Sequence, residues 1–181
     1  MRKNVLIATN SQKILDFLIE HPIKDFLAAE IQQATGISKS GVNYALRDLA
    51  DNNFILRLKR GNLYFYTVEH KSPVIKQLKI SKTILQIEKL LKKLEKLSSK
   101  IILFGSCSRG ENTLDSDIDL CIISRNKEEI MAEIKRYKTN RKIQSVIRTN
   151  LQFVEMEKTD PIFYGQVFKG IVLWEGNNND V

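Results

Sequence analysis

The stretch that most constrains this chain runs from Ile101 to Ile123. Ile101-Ile102-Leu103-Phe104 is a short apolar run of strand character. It leads directly into Gly105-Ser106-Cys107-Ser108-Arg109-Gly110. After a polar loop comes Asp117-Ile118-Asp119-Leu120-Cys121-Ile122-Ile123, again strand-like. In a strand, residues two apart point the same way, so Asp117 and Asp119 share one face while Ile118 and Leu120 turn to the core. Two carboxylates on one face, with no compensating lysine close in sequence, repel each other unless a cation sits between them. Oxygen-only ligands favour Mg2+ or Mn2+. The neighbouring Gly-Ser turn offers backbone N–H groups and a hydroxyl to phosphate. The pattern therefore predicts a triphosphate held at the turn and bridged by divalent metal to Asp117 and Asp119. Phosphoryl or nucleotidyl transfer needs that arrangement, because it depends on positioning and on cancelling charge at the leaving pyrophosphate.

Composition narrows the alternatives. Hydrophobic residues make up 43% and charged residues 28%, which suits a packed soluble core. No apolar run approaches the roughly 20 residues of a membrane span. The opening Met1–Asn10 has an apolar stretch shorter than the roughly 7–15 residues of a signal h-region, so a cytoplasmic location is expected. Two cysteines, Cys107 and Cys121, and two histidines, His21 and His70, supply neither a disulfide framework nor a zinc site. The net charge of +8 is uneven. Residues 1–70 carry 9 basic and 7 acidic residues, residues 71–100 carry 9 and 2, and residues 101–181 carry 11 and 12. A basic middle between two nearly neutral blocks suggests three parts and an attraction to polyanions.

Before the basic segment, periodicity predicts three helices and a hairpin. Residues 11–20 have Ile14, Leu15, Leu18 and Ile19 at helical spacing with Ser11 as cap, and His21-Pro22 ends the run. Residues 26–34 read as a second helix, followed by a turn in which Gly36 takes positive φ. Ser38 caps a third helix over about 39–51, with Val42, Ala45, Leu46 and Leu49 on one face. Phe54–Lys59 and Leu63–Val68 are β-rich runs joined by Arg60-Gly61-Asn62. This order resembles a winged helix-turn-helix domain over residues 10–70, most specifically in Ala29–Gly41. The resemblance implies a third helix in the major groove, with Lys39, Ser40, Asn43, Tyr44 and Arg47 facing DNA. It also implies a wing contact from Arg57, Lys59, Arg60 and Asn62. Lysine and arginine would meet phosphates, and Asn43 and Arg47 would read base edges. Tyr64 and Tyr66 are candidates for stacking on nucleic acid, or for packing within the wing.

Residues 73–98 predict one long helix. Ile80, Ile84, Ile87, Leu91 and Leu94 form a short heptad seam that must be buried, either within the chain or against a twin in a homodimer. Beyond the acidic motif, residues 128–137 predict a helix, 142–147 a strand, 150–158 a helix capped by Thr149, 161–168 a helix and 171–174 a last strand. Gly176–Val181 reads as a disordered tail.

The segment IILFGSCSRGENTLDSDIDLCII resembles the minimal nucleotidyltransferases of the DNA polymerase β superfamily. Gly105, Ser106, Arg109, Gly110, Ser116, Asp117 and Asp119 match that pattern, and the likeness spans about 99–176. It implies an α/β (α+β) protein with an N-terminal winged helix (1–70), a basic linking helix (71–98) and a nucleotidyltransferase domain (99–176) whose small mixed sheet is flanked by helices, with the tail at 177–181. It further implies Asp117 and Asp119 as metal-binding and catalytic residues, and Gly105, Ser106, Arg109, Gly110 and Ser116 as nucleotide-binding ones. The family carries a third carboxylate on a later strand. Here that position falls on Gln144 if the strand is 142–147, or on Gln152 if it is 151–156, with Glu155 and Glu157 as substitutes. An amide ligates a metal but neither takes a proton nor balances charge. Three functions remain open, one of them a scaffold that uses both domains for protein contacts. Another is a Mg2+-dependent transfer of a nucleoside monophosphate from a nucleoside triphosphate, ATP by preference, to an acceptor hydroxyl. The acceptor could be a partner protein, as for antitoxins of this superfamily that modify a toxin. The third is a DNA-binding transcriptional regulator whose degenerate domain binds nucleotide or a partner.

Overall fold

The computed structural model describes residues 8–176. The tail expected at 177–181 and the opening seven residues lie outside them. The chain divides into two compact units, Met1–Lys76 and Gln77–Val181.

In the first unit, α1 (Asn10–Glu20) is capped by Thr9, whose side chain accepts from the Gln12 N–H while Gln12 reaches back to the cap. Ser11, expected as the cap, instead donates its hydroxyl to Asp48 at 2.8 Å. Thr9 wins because Gln12 is three residues on, the spacing a capping box requires. Phe26–Leu27, expected as the start of a helix, form a short strand β1, and α2 covers only Ala28–Thr35. Phe26 pairs with Tyr66 and Leu27 with Phe65, so long-range pairing overrides local helical character here. Gly36 ends α2 at φ +67, a left-handed cap that spares a Cβ penalty. α3 (Lys39–Asp51) buries Val42, Ala45, Leu46 and Leu49. β2 (Leu56–Arg60) and β3 (Leu63–Thr67) form an antiparallel hairpin, and the sheet order is β1-β3-β2.

α4 (Pro73–Leu94) ends in a 3-10 turn at Glu95–Leu97 rather than continuing to 98. In the second unit follow β4 (Lys100–Phe104), α5 (Gly105–Ser108), β5 (Ile118–Ile123), α6 (Lys127–Arg136), β6 (Ile143–Arg148), α7 (Asn150–Thr159), α8 (Pro161–Phe168) and β7 (Ile171–Glu175). The sheet order is β6-β5-β4-β7. β5 and β6 run parallel, and β4 is antiparallel to both its neighbours, so the sheet is mixed and the architecture α+β. Strand alternation sends Ile101, Leu103, Ile118, Leu120 and Ile122 to one face. There they are buried with Ile87, Leu90, Leu91 and Leu94 of α4 and Ile130 of α6. Ile102, Phe104, Cys121 and Ile123 take the other face with Met156 of α7 and Val167 of α8. The seam of α4 is thus consumed inside its own chain, which removes the heptad argument for a homodimer. Among the described residues no helix is long and apolar enough to cross a membrane.

Candidate active site

The site forms where β4 breaks into α5. Phe104 pairs with Asp119 across the antiparallel ladder. The next residue, Gly105, has φ +69, and a Cβ built on it would lie 2.2 Å from Asp119 Oδ2. Only glycine allows the turn to press on the carboxylate at that distance. Asp119 stands on the α7–α8 side of the sheet by alternation with buried Cys121 and Ile123. Burial raises its carboxyl above the usual range, and the charge of Asp117 raises it further, while Arg141 and Arg109 pull it down. A carboxylate pair in that state fits one hard divalent cation, which relieves both the burial and the mutual repulsion.

The turn is held by its own backbone. Ser108 Oγ donates to the Gly105 carbonyl at 2.9 Å, and the Glu111 N–H donates to the Ser106 carbonyl at 3.0 Å. Gly110 also has positive φ, +65. Ser116, expected at the nucleotide, has its hydroxyl in the connecting loop, where it accepts from the Thr113 N–H at 2.8 Å. Arg109 is exposed, and its Nε donates to Glu111 at 2.8 Å.

Two basic residues that sequence reasoning passed over complete the surroundings. Arg141 Nε donates to the Ser116 carbonyl at 2.7 Å. Its Nη2 donates to Cys107 Sγ at 2.8 Å and to the Asp117 carbonyl at 3.3 Å. One guanidinium therefore ties the Gly-Ser turn to the aspartate segment. Cys107 is buried, and burial pushes its thiol up, so it serves as a neutral filler that donates to the Asp117 carbonyl. Lys142 Nζ lies 3.7 Å from Asp117 Oδ2. No lysine is close to the pair in sequence; the fold brings this one to it. Lys142 sits 25 residues from Asp117 in sequence and meets it only because β5 and β6 are parallel; its signal was the Arg-Lys pair immediately before strand residues 143–148.

The register also decides between the two glutamines. Asp119 pairs with Gln144, which is exposed on β6. Gln152 is in α7, where its side chain accepts from the Thr149 N–H at 3.0 Å and faces a cavity of about 240 Å³ lined also by Arg148, Glu155, Asp160 and Phe163. Glu155 and Glu157 are exposed on the same helix. Among the described residues no group of three or more Asp, Glu, His or Cys side chains is placed to hold a metal ion. The expected pair stands without a third carboxylate.

In the first unit, Lys39, Ser40, Asn43, Tyr44 and Arg47 are all exposed on α3, opposite its buried stripe. Arg57, Lys59, Arg60 and Asn62 are exposed on the hairpin. Two of these are engaged within the unit. Arg60 pairs with Asp25 and lies 4.9 Å from the Phe65 ring centre, and Arg57 lies 3.7 Å over Tyr64. Tyr64 is thus committed to packing with Arg57.

A strand, a glycine-bearing turn pressed on Asp119 of the next strand, with Asp117 just before it, and a parallel partner strand define a nucleotidyltransferase-type α+β domain. The family described as "Polymerase beta, Nucleotidyltransferase" matches residues 85–179, more than half of the chain, and the protein belongs to it. No curated protein matches. Among solved structures, one similar chain is that of TrmBL2, described as an archaeal chromatin protein whose structure "shows a novel mode of DNA binding". It is 12% identical, with a TM-score of 0.31, over 83% of this chain and 69% of that one. Similarity that weak says nothing about this chain.

Proposed function

We propose that the protein is a Mg2+-dependent nucleotidyltransferase that moves a nucleoside monophosphate from a nucleoside triphosphate, ATP by preference, to an acceptor hydroxyl. The observation that carries this reading is the approach of Gly105 to Asp119, which puts the backbone of the Gly-Ser turn against a half-buried carboxylate. Asp117 and Asp119 would hold Mg2+, which supplies charge cancellation at the pyrophosphate. Gly105 and Ser106 would position the phosphates, and Gly110 shapes the same turn. Arg141 keeps turn and aspartates in register. Exposed Leu151, Val154, Ile162 and Phe168 on α7 and α8 favour a protein as the acceptor's carrier. The test is incubation with labelled ATP, Mg2+ and candidate acceptors, beside the variant Asp117→Asn/Asp119→Asn. Label transfer by the wild type and its loss in the variant supports the enzyme.

The second reading is a DNA-binding regulator whose nucleotidyltransferase domain has lost turnover. It is favoured by Gln144 beside Asp119, where an amide replaces the general base and charge of a carboxylate. Metal-dependent nucleotide binding without label transfer would select it. In either reading the N-terminal unit acts as a winged helix-turn-helix that places α3 on DNA, supported by the exposure of all five predicted contacts on one helix face. Arg47→Ala is expected to weaken operator binding by about 1–3 kcal/mol if Arg47 reads a base, measured by fluorescence anisotropy at fixed salt. Unchanged affinity would remove it from the reading set.

A further inference from the structure

The parallel pairing of β5 with β6 sets two residue pairs side by side. Asp119 is paired with Gln144, and the ladder opens at Ile118 opposite Ile143, where the Ile118 N–H donates to the Lys142 carbonyl at 2.8 Å. Asp117 and Lys142 lie just before the first residues of the two strands, and there the Lys142 ammonium stands 3.7 Å from Asp117 Oδ2. Asp119 and Gln144, paired across parallel strands, share one side of the sheet, and the ion pair sets Lys142 against Asp117 at that end of the strands.

A two-metal site holds its ions about 3.5–4 Å apart and needs enough anionic oxygen to neutralise both. Here two carboxylates supply the negative charge. Of the two residues opposite them, one is neutral and the other cationic. A protonated lysine has three donors and no lone pair, so it cannot ligate a metal and repels one nearby. The Gln144 carbonyl can ligate but adds no charge.

We propose that the site holds a single divalent cation between Asp117 and Asp119, and that the Lys142 ammonium takes the charge-balancing place of a second. The inference rests on the nucleotide-binding reading above and goes beyond it by fixing the number of ions. It also accounts for the missing third carboxylate: with Lys142 in place, a carboxylate at residue 144 has no second ion to hold.

The full-length chain is brought to equilibrium by dialysis against Mn2+ and saturating α,β-methylene-ATP, and bound ions are counted as the Mn2+ on the protein side in excess of the nucleotide-only side, measured by atomic absorption. The wild type is expected to bind one ion per chain. The double variant Lys142→Ala/Gln144→Asp is expected to bind two, with unchanged far-ultraviolet circular dichroism, since both side chains are exposed. Two ions on the wild type overturn the inference and leave the nucleotide-binding reading standing. A variant that folds yet stays at one ion overturns the roles given to Lys142 and Gln144. Absence of any nucleotide-dependent Mn2+ binding to the wild type overturns the inference and the underlying reading together. The wild-type count decides by itself should the variant fail to fold.

Discussion

Gly105→Ala is expected to abolish nucleotide binding at the candidate site and to lower label transfer by more than about 10²-fold, the scale on which misplaced catalytic groups lose rate. Two effects combine. The backbone at Gly105 has φ +69, and holding an L-residue there costs on the order of 1–3 kcal/mol. The added Cβ would also meet Asp119 Oδ2 at 2.2 Å, with the Asp119 Cγ at 3.1 Å behind it. The carboxylate must swing away, and the two aspartates then no longer face one cation. Because the strain is local, most of the domain should still fold, and circular dichroism should show native helix content. Nucleotide affinity by isothermal titration calorimetry is the decisive measurement. Retained affinity would mean that the turn does not position phosphate against Asp119. Gly36→Ala serves as a control: it carries a similar positive φ of +67 but meets nothing within 4 Å, so strain is present without a site to disturb.

Leu94→Ala should cost about 2–5 kcal/mol of stability, as expected for a leucine removed from a packed core. Leu94 is fully buried, as are Ile87 and Leu90 on the same helix, among Ile101, Leu103 and Leu120 of the sheet. Domain stabilities run about 5–15 kcal/mol, so this single change takes a large share. It should appear as a lower denaturation midpoint with little change in slope. The midpoint should also be independent of protein concentration in both wild type and variant, because the seam is filled by the chain's own sheet. A midpoint that rises with concentration would show that the seam is shared between two chains.

These two expectations differ in how legible they were beforehand. The glycine and the aspartates could be read directly, since a strand, a Gly-Ser turn and a two-residue alternation are all local. The heptad seam was equally visible, but its partner was not. A row of leucines and isoleucines records that a face must be buried and leaves open by what. The same gap explains the shortened second helix. Phe26 and Leu27 continue a helical pattern by composition, yet their backbone hydrogen bonds go to β3, about 40 residues away. The misassigned cap has a more local cause: Ser11 and Thr9 are both capable acceptors, and only the Gln12 reciprocal bond separates them.

What the amino-acid order determined by itself was therefore everything set within a few residues: the turn chemistry, the shared face of Asp117 and Asp119, the exposed face of α3 and the mixed α+β composition of the chain. Tertiary structure alone decided what stands opposite the aspartates. Lys142 and Gln144 reach them through a parallel strand pairing across some 25 residues of intervening chain, and Arg141 closes the same loop. Parallel strands have no tight turn to set their register; it is selected by which apolar side chains the whole sheet can bury. The Arg-Lys pair before β6 marks a positive charge at that strand's start, but which residues it faces is held in that collective choice and not in the local sequence.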